Sequence, residues 1–157
     1  MDKVYIKKNP NGDTRTAKKD VSFDEFHEAN TSHRKDVLQV MLVLAEKLIN
    51  KGHMHDWSKM SYEEEFYNNF IDTINNGTDF VSNTWYQKHI VEEKHHPFSY
   101  CHEDINLLDI IETIVDCVCA GKARSGEIRS LEFDDEILKK AVDNTVKLID
   151  NIVEVEK

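Results

Sequence analysis

Ile105 to Arg124 reads INLLDIIETIVDCVCAGKAR, and the reading of this stretch decides the fold. Leu107, Leu108, Ile110, Ile111, Ile114, Val115, Cys117, Val118 and Cys119 leave it apolar nearly all round, the pattern of a helix buried on most sides. Yet Asp109, Glu112 and Asp116 recur at i, i+3 and i+7, which puts three carboxylates on one narrow stripe. Buried carboxylates need cations, hydrogen-bond donors or water as partners. A solvated face and a metal site both meet that need. Ala120 and Ala123, which continue the stripe, fit either.

Outward from this helix the pattern stays helical. SFDE at 22–25 and SYEE at 61–64 have the capping-box form, Ser22 with Glu25 and Ser61 with Glu64. Val37, Val40, Met41, Leu44 and Leu48 give helical spacing over 31–50, and Lys51-Gly52 closes that run. Phe66, Phe70 and Ile74 mark a second helix over 61–75, and Asn83 or Thr84 starts a third that runs to Lys94. DDEILKKAVDNTVKLIDNIVEV, 134–155, is an amphipathic last helix with Ile137, Ala141, Leu148 and Ile152 on its apolar stripe. Before all of these, KVYIKKNPNGDTRTA at 3–17 predicts a small β-hairpin, with Asn-Pro-Asn-Gly-Asp supplying the turn. A hairpin alone is not stable, so it should pack on the helices. The expected architecture is all-α: one domain over 1–157, with a hairpin at 3–17 and a helical bundle at 22–155.

Composition agrees with a helical globular chain: 157 residues, 39% hydrophobic and 32% charged, with only five glycines and two prolines to interrupt helices. The net charge of −10 argues against a nucleic-acid backbone as partner, though not against a small phosphate neutralised locally by cations or a metal. MDKVYIKKNPNGD carries no signal-peptide-like run, and VLQVMLVLA is about half the length a bilayer span needs. A cytoplasmic protein without a membrane partner is expected, and its three cysteines should be free thiols. Cys117 and Cys119 read as buried small apolar residues rather than a zinc or redox pair.

Three other places carry ligand-type side chains. His33 lies one turn before Val37 and opens the apolar face of its helix, where a lone histidine is more often a satisfied core residue. GHMHDWSKMSYEEE, 52–65, brings His55, Asp56 and Lys59 together between two helices. WYQKHIVEEKHHP, 85–97, sets Trp85, His89, Glu92 and His96 on one stripe with His95 beside it. Imidazole and carboxylate suit a divalent ion such as manganese, iron, cobalt or zinc. Lys59, one turn beyond Asp56, can hold a phosphate as a point charge.

The order His33, His55-Asp56, Asp116 resembles the H…HD…D signature of the HD superfamily of metal-dependent phosphohydrolases, which are helical bundles around a metal. The local HDWSK is also similar to the HDxSK of a family found in phage and bacteria, which would place the protein in a bacterial host's cytoplasm if phage-encoded. The resemblance covers about residues 31 to 125. It implies His33, His55, Asp56 and Asp116 as metal ligands. His89, with His95 or His96, matches the extra histidines of two-metal members. It also implies Lys59 as a phosphate contact. Helical 5′-deoxynucleotidases of the superfamily carry a glutamate where Lys59 stands, and Glu63, Glu64, Asp109 or Glu112 are the substitutes in reach of the pattern.

The function expected is hydrolysis of a nucleotide or related phosphoester by a metal-activated water, with one or two ions. Asp56 would serve as ligand and acceptor for that water. Lys59, with Lys88 or Arg124, would offset phosphate charge, and Trp57 would either stack on the substrate or pack. The rival is a non-catalytic metal protein that binds a nucleotide or a host protein. The acidity and the apolar stripe of the last helix also suit a homodimer. A third reading has no metal, only a buried histidine network.

Overall fold

The computed structural model describes residues 3–156, which divide into two compact units: 3–47 with 146–156, and 48–145. Among the described residues the chain is mostly helical, as the sequence pattern requires. No helix there is long and apolar enough to cross a membrane.

In the first unit, strand β1 (Val4–Ile6) pairs with strand β2 (Val153–Val155). The pairing is parallel, Val4 opposite Val153 and Ile6 opposite Val155, and the Glu156 amide donates to the Ile6 carbonyl at 2.9 Å. The expected hairpin at 3–17 therefore does not form: the strand is there, but its partner is the other end of the chain. The turn chemistry is satisfied locally instead. Pro10–Gly12 make one 3-10 turn with the Asn9 side chain accepting from the Asn11 amide, and Asp13 then holds Arg15 and the amide of Ala17. Gly12 is needed for close approach, since a Cβ there would lie 3.3 Å from the Ala29 Cβ. The last helix correspondingly stops before VEV, where the valines find a β partner.

Helix α1 (Phe23–Met54) starts at the capping box the sequence predicts: Ser22 Oγ accepts from the Glu25 amide, and Glu25 accepts from the Ser22 amide. It is longer than the predicted 31–50. Val37 and Met41, expected in the core, are 48% and 59% exposed, while Val40 and Leu44 are half-buried.

The second unit contains the end of α1 from Leu48, α2 (Trp57–Ser61), α3 (Glu63–Asn76), α4 (Thr84–Glu92), α5 (Leu107–Ser125) and α6 (Asp135–Ile152) up to Thr145. The SYEE capping box does not form. Ser61 is still inside α2, and Tyr62 makes the junction, leaving Glu63, Glu64 and Glu65 in the first turn of α3 where its amide dipole favours them. Asn83 caps α4 by accepting from the Tyr86 amide at 3.0 Å. Asn106 and Asp109 form a reciprocal capping box at the start of α5. The core joins Ile105 and Ile110 to Ala141, with Ile137 and Phe133 packed against them. Thr145 and Asn144 tie α6 to this layer by accepting from the Leu107 amide and donating to the Ile105 carbonyl. Helix α5 is less enclosed than its composition predicts: Ile111, Ile114 and Val115 are 39–54% exposed, and Cys119 is exposed. Its carboxylate stripe is the side that is covered.

Candidate metal centre

Every residue of the centre belongs to the second unit. Helix α1 ends at Met54, and Asp56 adopts a left-handed backbone conformation, φ 56° and ψ 25°, which an aspartate tolerates better than most residues. That break sets His55 and Asp56 side by side between α1 and α2. Helix α4 supplies His89, and the turn after it supplies His95 and His96. Thr113 of α5 fixes that turn by donating to the His95 carbonyl at 3.0 Å. Helix α5 brings Asp109, Glu112 and Asp116.

Two groups of donor atoms result, each with all members within 4.8 Å of one another: Asp56, His89, His95 and His96, and His55, His95 and Asp116. Ligand bonds of about 2.1 Å put opposed donors roughly 4.2 Å apart, so only small inward shifts separate this geometry from coordination. Asp56 Oδ1 lies 3.4 Å from His95 Nε2 and 3.6 Å from His89 Nε2. His55 Nε2 lies 3.5 Å from both Asp56 Oδ2 and Asp116 Oδ1. His89 and His96 face each other Nε2 to Nε2 at 2.8 Å. Asp56 Oδ1 and both ring nitrogens of His95 are buried without a well-formed hydrogen bond. A buried carboxylate oxygen and a buried imidazole that meet only across 3.4 Å, where the two donor groups join, fit a cation.

The outward nitrogens explain why the Nε2 atoms turn inward. Glu112 Oε1 is hydrogen-bonded to His55 Nδ1 at 3.1 Å and makes an ion-pair contact with His95 Nδ1 at 3.3 Å, so one carboxylate faces both rings. Ser58 Oγ meets His89 Nδ1 at 2.6 Å, and Trp85, 1% exposed, stacks on the His89 ring at 5.0 Å. Glu93 holds the Ser58 amide at 2.9 Å. A proton on the outward Nδ1 leaves a lone pair on Nε2, the state a metal requires.

Charge follows the same layout. Contacts with Asp116 and then Glu112 raise His55 to about 10. Burial works against a charged His95, but Asp56 and Glu112 outweigh it and its pKa rises. Burial, reinforced by the neighbouring imidazoles, lowers His89 to about 3 and His96 to about 4. Burial opposes ionisation of Asp56 and Glu112, yet Asp56 is held well below the usual carboxylate range by His95 and Lys59, and Glu112 by His55 and His95. Without a metal the centre therefore balances its carboxylates with imidazolium; a cation would replace those protons.

The carboxylate stripe of α5 divides its work. Asp116 faces His55, and Glu112 orients the rings. Asp109, 0% exposed, caps its own helix and forms a salt bridge to Lys51. It belongs to neither ligand group. Lys51 also donates to Glu112 at 3.2 Å, so this half-buried cation is one of the partners that the three-carboxylate pattern called for. Lys51, Ser58, Glu93 and Thr113 have no sequence signal of their own, because each acts through a neighbour brought in by folding.

The remaining expectations separate. His33 is in neither ligand group; it stands about six turns before the end of α1 and lines a cavity of the first unit with Ile6, Lys7, Asn9 and Asp36. Lys59 pairs with Asp56 Oδ2 and lines a second-unit cavity of about 650 Å³. His89, His96 and Asp116 line that cavity together with the aromatic rings of Phe66, Phe80, Trp85 and Tyr86. Trp57 is 56% exposed and outside this cavity; the stacking aromatic is Trp85. Lys88 pairs with Glu65 and sits over the Tyr62 ring, whereas Arg124 does line the cavity. Glu63 and Glu64 line other hollows, on α3. Cys117 lines the cavity half-buried instead of filling a core.

Fold and centre together define a helical protein with a buried histidine–aspartate cluster able to hold a metal ion. Residues 22–155 match the family of unknown function DUF5662, and the chain belongs to that family. No curated protein and no solved structure matches it.

Proposed function

We propose that the protein is a metal-dependent phosphohydrolase acting on a small phosphorylated molecule, a nucleotide or related phosphoester. The observation that carries this reading is the cluster of Asp56, His89, His95 and His96, two of whose members, His89 and His96, line a cavity large enough for such a substrate. The resemblance to the HD superfamily supports it through His55, Asp56 and Asp116. It does so without His33, which lies outside both ligand groups.

His55, Asp56, His89, His95, His96 and Asp116 would hold one or two divalent ions of the manganese, iron, cobalt or zinc type. Bound there, the metal supplies a water acidic enough to attack at neutral pH and polarises the phosphoryl oxygen. Glu112 and Ser58 keep the imidazoles aimed inward. Lys59, which lines the cavity beside Asp56, offsets phosphate charge, and the Trp85 wall takes up the apolar part of the substrate and excludes water.

The test is metal content after anaerobic reconstitution with manganese or iron, followed by hydrolysis of nucleoside monophosphates. The wild type and His33→Ala should each retain about one or two equivalents. Asp56→Asn should lose metal and turnover while remaining folded, because asparagine also accepts the left-handed backbone. A wild type that takes up no metal sinks the ligand assignment. A metal-loaded protein without turnover on any phosphoester leaves the non-catalytic metal protein.

A further inference from the structure

The cavity wall continues beyond the histidines. Asp116, Cys117, Ala120 and Arg124 line it in succession from α5. At 1.5 Å per residue, the step from Asp116 to Arg124 covers about 12 Å along the helix axis. Arg129 lines the same cavity by a different route. Gly121 lets the chain fold back on α5 after Gly126, for a Cβ at Gly121 would lie 2.5 Å from the Glu127 carbonyl oxygen and 3.4 Å from the Arg129 amide.

Neither guanidinium has an acidic partner among the described residues. Both side chains are exposed, so each guanidinium is open to a ligand that enters the cavity from solvent. The end of α5 does not need them, because Lys122 already donates to the Gly126 carbonyl there. Guanidinium is the side chain that binds carboxylate or phosphate by paired, charge-assisted hydrogen bonds. Phe66, Phe80, Trp85 and Tyr86 add an aromatic wall to the same cavity.

We propose that Arg124 and Arg129 form an anion subsite at the far end of the cavity, so that the substrate is an elongated phosphoester whose other end carries a carboxylate or a second phosphate. Its middle is apolar or aromatic, matching the wall. The inference rests on the phosphohydrolase reading for the near end of the molecule. Gly121 is the positioning residue that lets Arg129 reach the cavity.

The probes are two non-hydrolysable ligands with the same body: biphenyl-4-phosphonate, with one anionic end, and biphenyl-4,4′-diphosphonate, with two. Their affinities are measured by calorimetry on the metal-loaded protein at physiological salt, for wild type and for the Arg124→Gln/Arg129→Gln double variant. The wild type should bind the diphosphonate at least about tenfold more tightly. The double variant should lose that advantage while its affinity for the monophosphonate stays the same. Equal affinities in the wild type, an advantage that survives in the double variant, or binding of neither probe would overturn the subsite. A chelator separates this from the metal reading. If removing metal leaves monophosphonate affinity unchanged while the arginine-dependent advantage persists, the metal reading fails and the subsite stands. If the chelator abolishes monophosphonate binding and no arginine-dependent advantage was seen, the subsite fails and the metal reading stands.

Discussion

Glu112→Gln is the substitution that tests the polarity of the centre. Glu112 Oε1 serves His55 Nδ1 at 3.1 Å and His95 Nδ1 at 3.3 Å, and its other oxygen takes Lys51 at 3.2 Å. Glutamine keeps the shape and one acceptor but removes the charge. Hydrogen bonds to charged groups contribute about 1.5–3 kcal/mol against about 0.5–1.5 for neutral ones, so the hydrogen-bonded His55 ring loses roughly 1 kcal/mol of orientation, and loss of the ion-pair contact to His95 adds a comparable amount. Two rings give about 2 kcal/mol, or roughly 30-fold in metal affinity, inside the 10–100-fold range typical of outer-shell carboxylates. The assay is competition for manganese or zinc against a chromophoric chelator at fixed pH, with circular dichroism to show that the variant is folded. Glu92→Gln, on the exposed end of α4, is the control and should change nothing. A folded Glu112→Gln protein whose affinity stays within about twofold of wild type would refute the argument that one carboxylate turns both Nε2 atoms inward.

Two further expectations follow from burial and backbone geometry. Gly121→Ala places a methyl group 2.5 Å from the Glu127 carbonyl oxygen, so the 127–129 segment must move. We expect a cost of about 1–3 kcal/mol, read as a lowered melting temperature, and an unchanged melting temperature would show that the segment is not seated on α5. The metal-free protein should also be acid-sensitive. His89 and His96 are depressed to about 3 and about 4 in the folded state, from an ordinary value near 6.5, so the unfolded chain takes up protons first as pH falls. Stability from these two groups is complete above about pH 6.5 and is lost as pH drops towards 4. His55, raised to about 10, has the opposite sign: its contribution is present below about 6.5 and fades as pH rises through 10. Melting temperatures across pH 4–8 for wild type and His89→Gln check this, and an equal acid loss in both would remove His89 as its source.

How far the centre was legible depended on which links are local. Asp109, Glu112 and Asp116 share a stripe because helical spacing alone puts them there, and burying that stripe called for cations, hydrogen-bond donors or water before any partner was known. Lys51 is one such partner, but nothing local marks it, since its meeting with Asp109 depends on how α1 and α5 pack. His33 belongs to neither donor group, although the order of His33, His55-Asp56 and Asp116 resembles a ligand set.

The N-terminus makes the same point for the fold. Val4–Ile6 had the composition of a strand, and Asn9–Asp13 had that of a turn, so a hairpin was the nearest solution in sequence. Strand propensity and turn chemistry are local and were correctly read; the choice of partner is not local, and β2 won the pairing from the other end of the chain. By itself, then, the sequence determined helices α1 and α3 to α6, the Ser22 and Asn83 caps, the carboxylate stripe and the imidazole and carboxylate side chains of the cluster. Only the tertiary structure decided which of these side chains converge, which carboxylate faces two ring nitrogens, and which arginines line the cavity. Periodicity and capping are settled within a turn or two of chain, while convergence depends on packing between segments tens of residues apart.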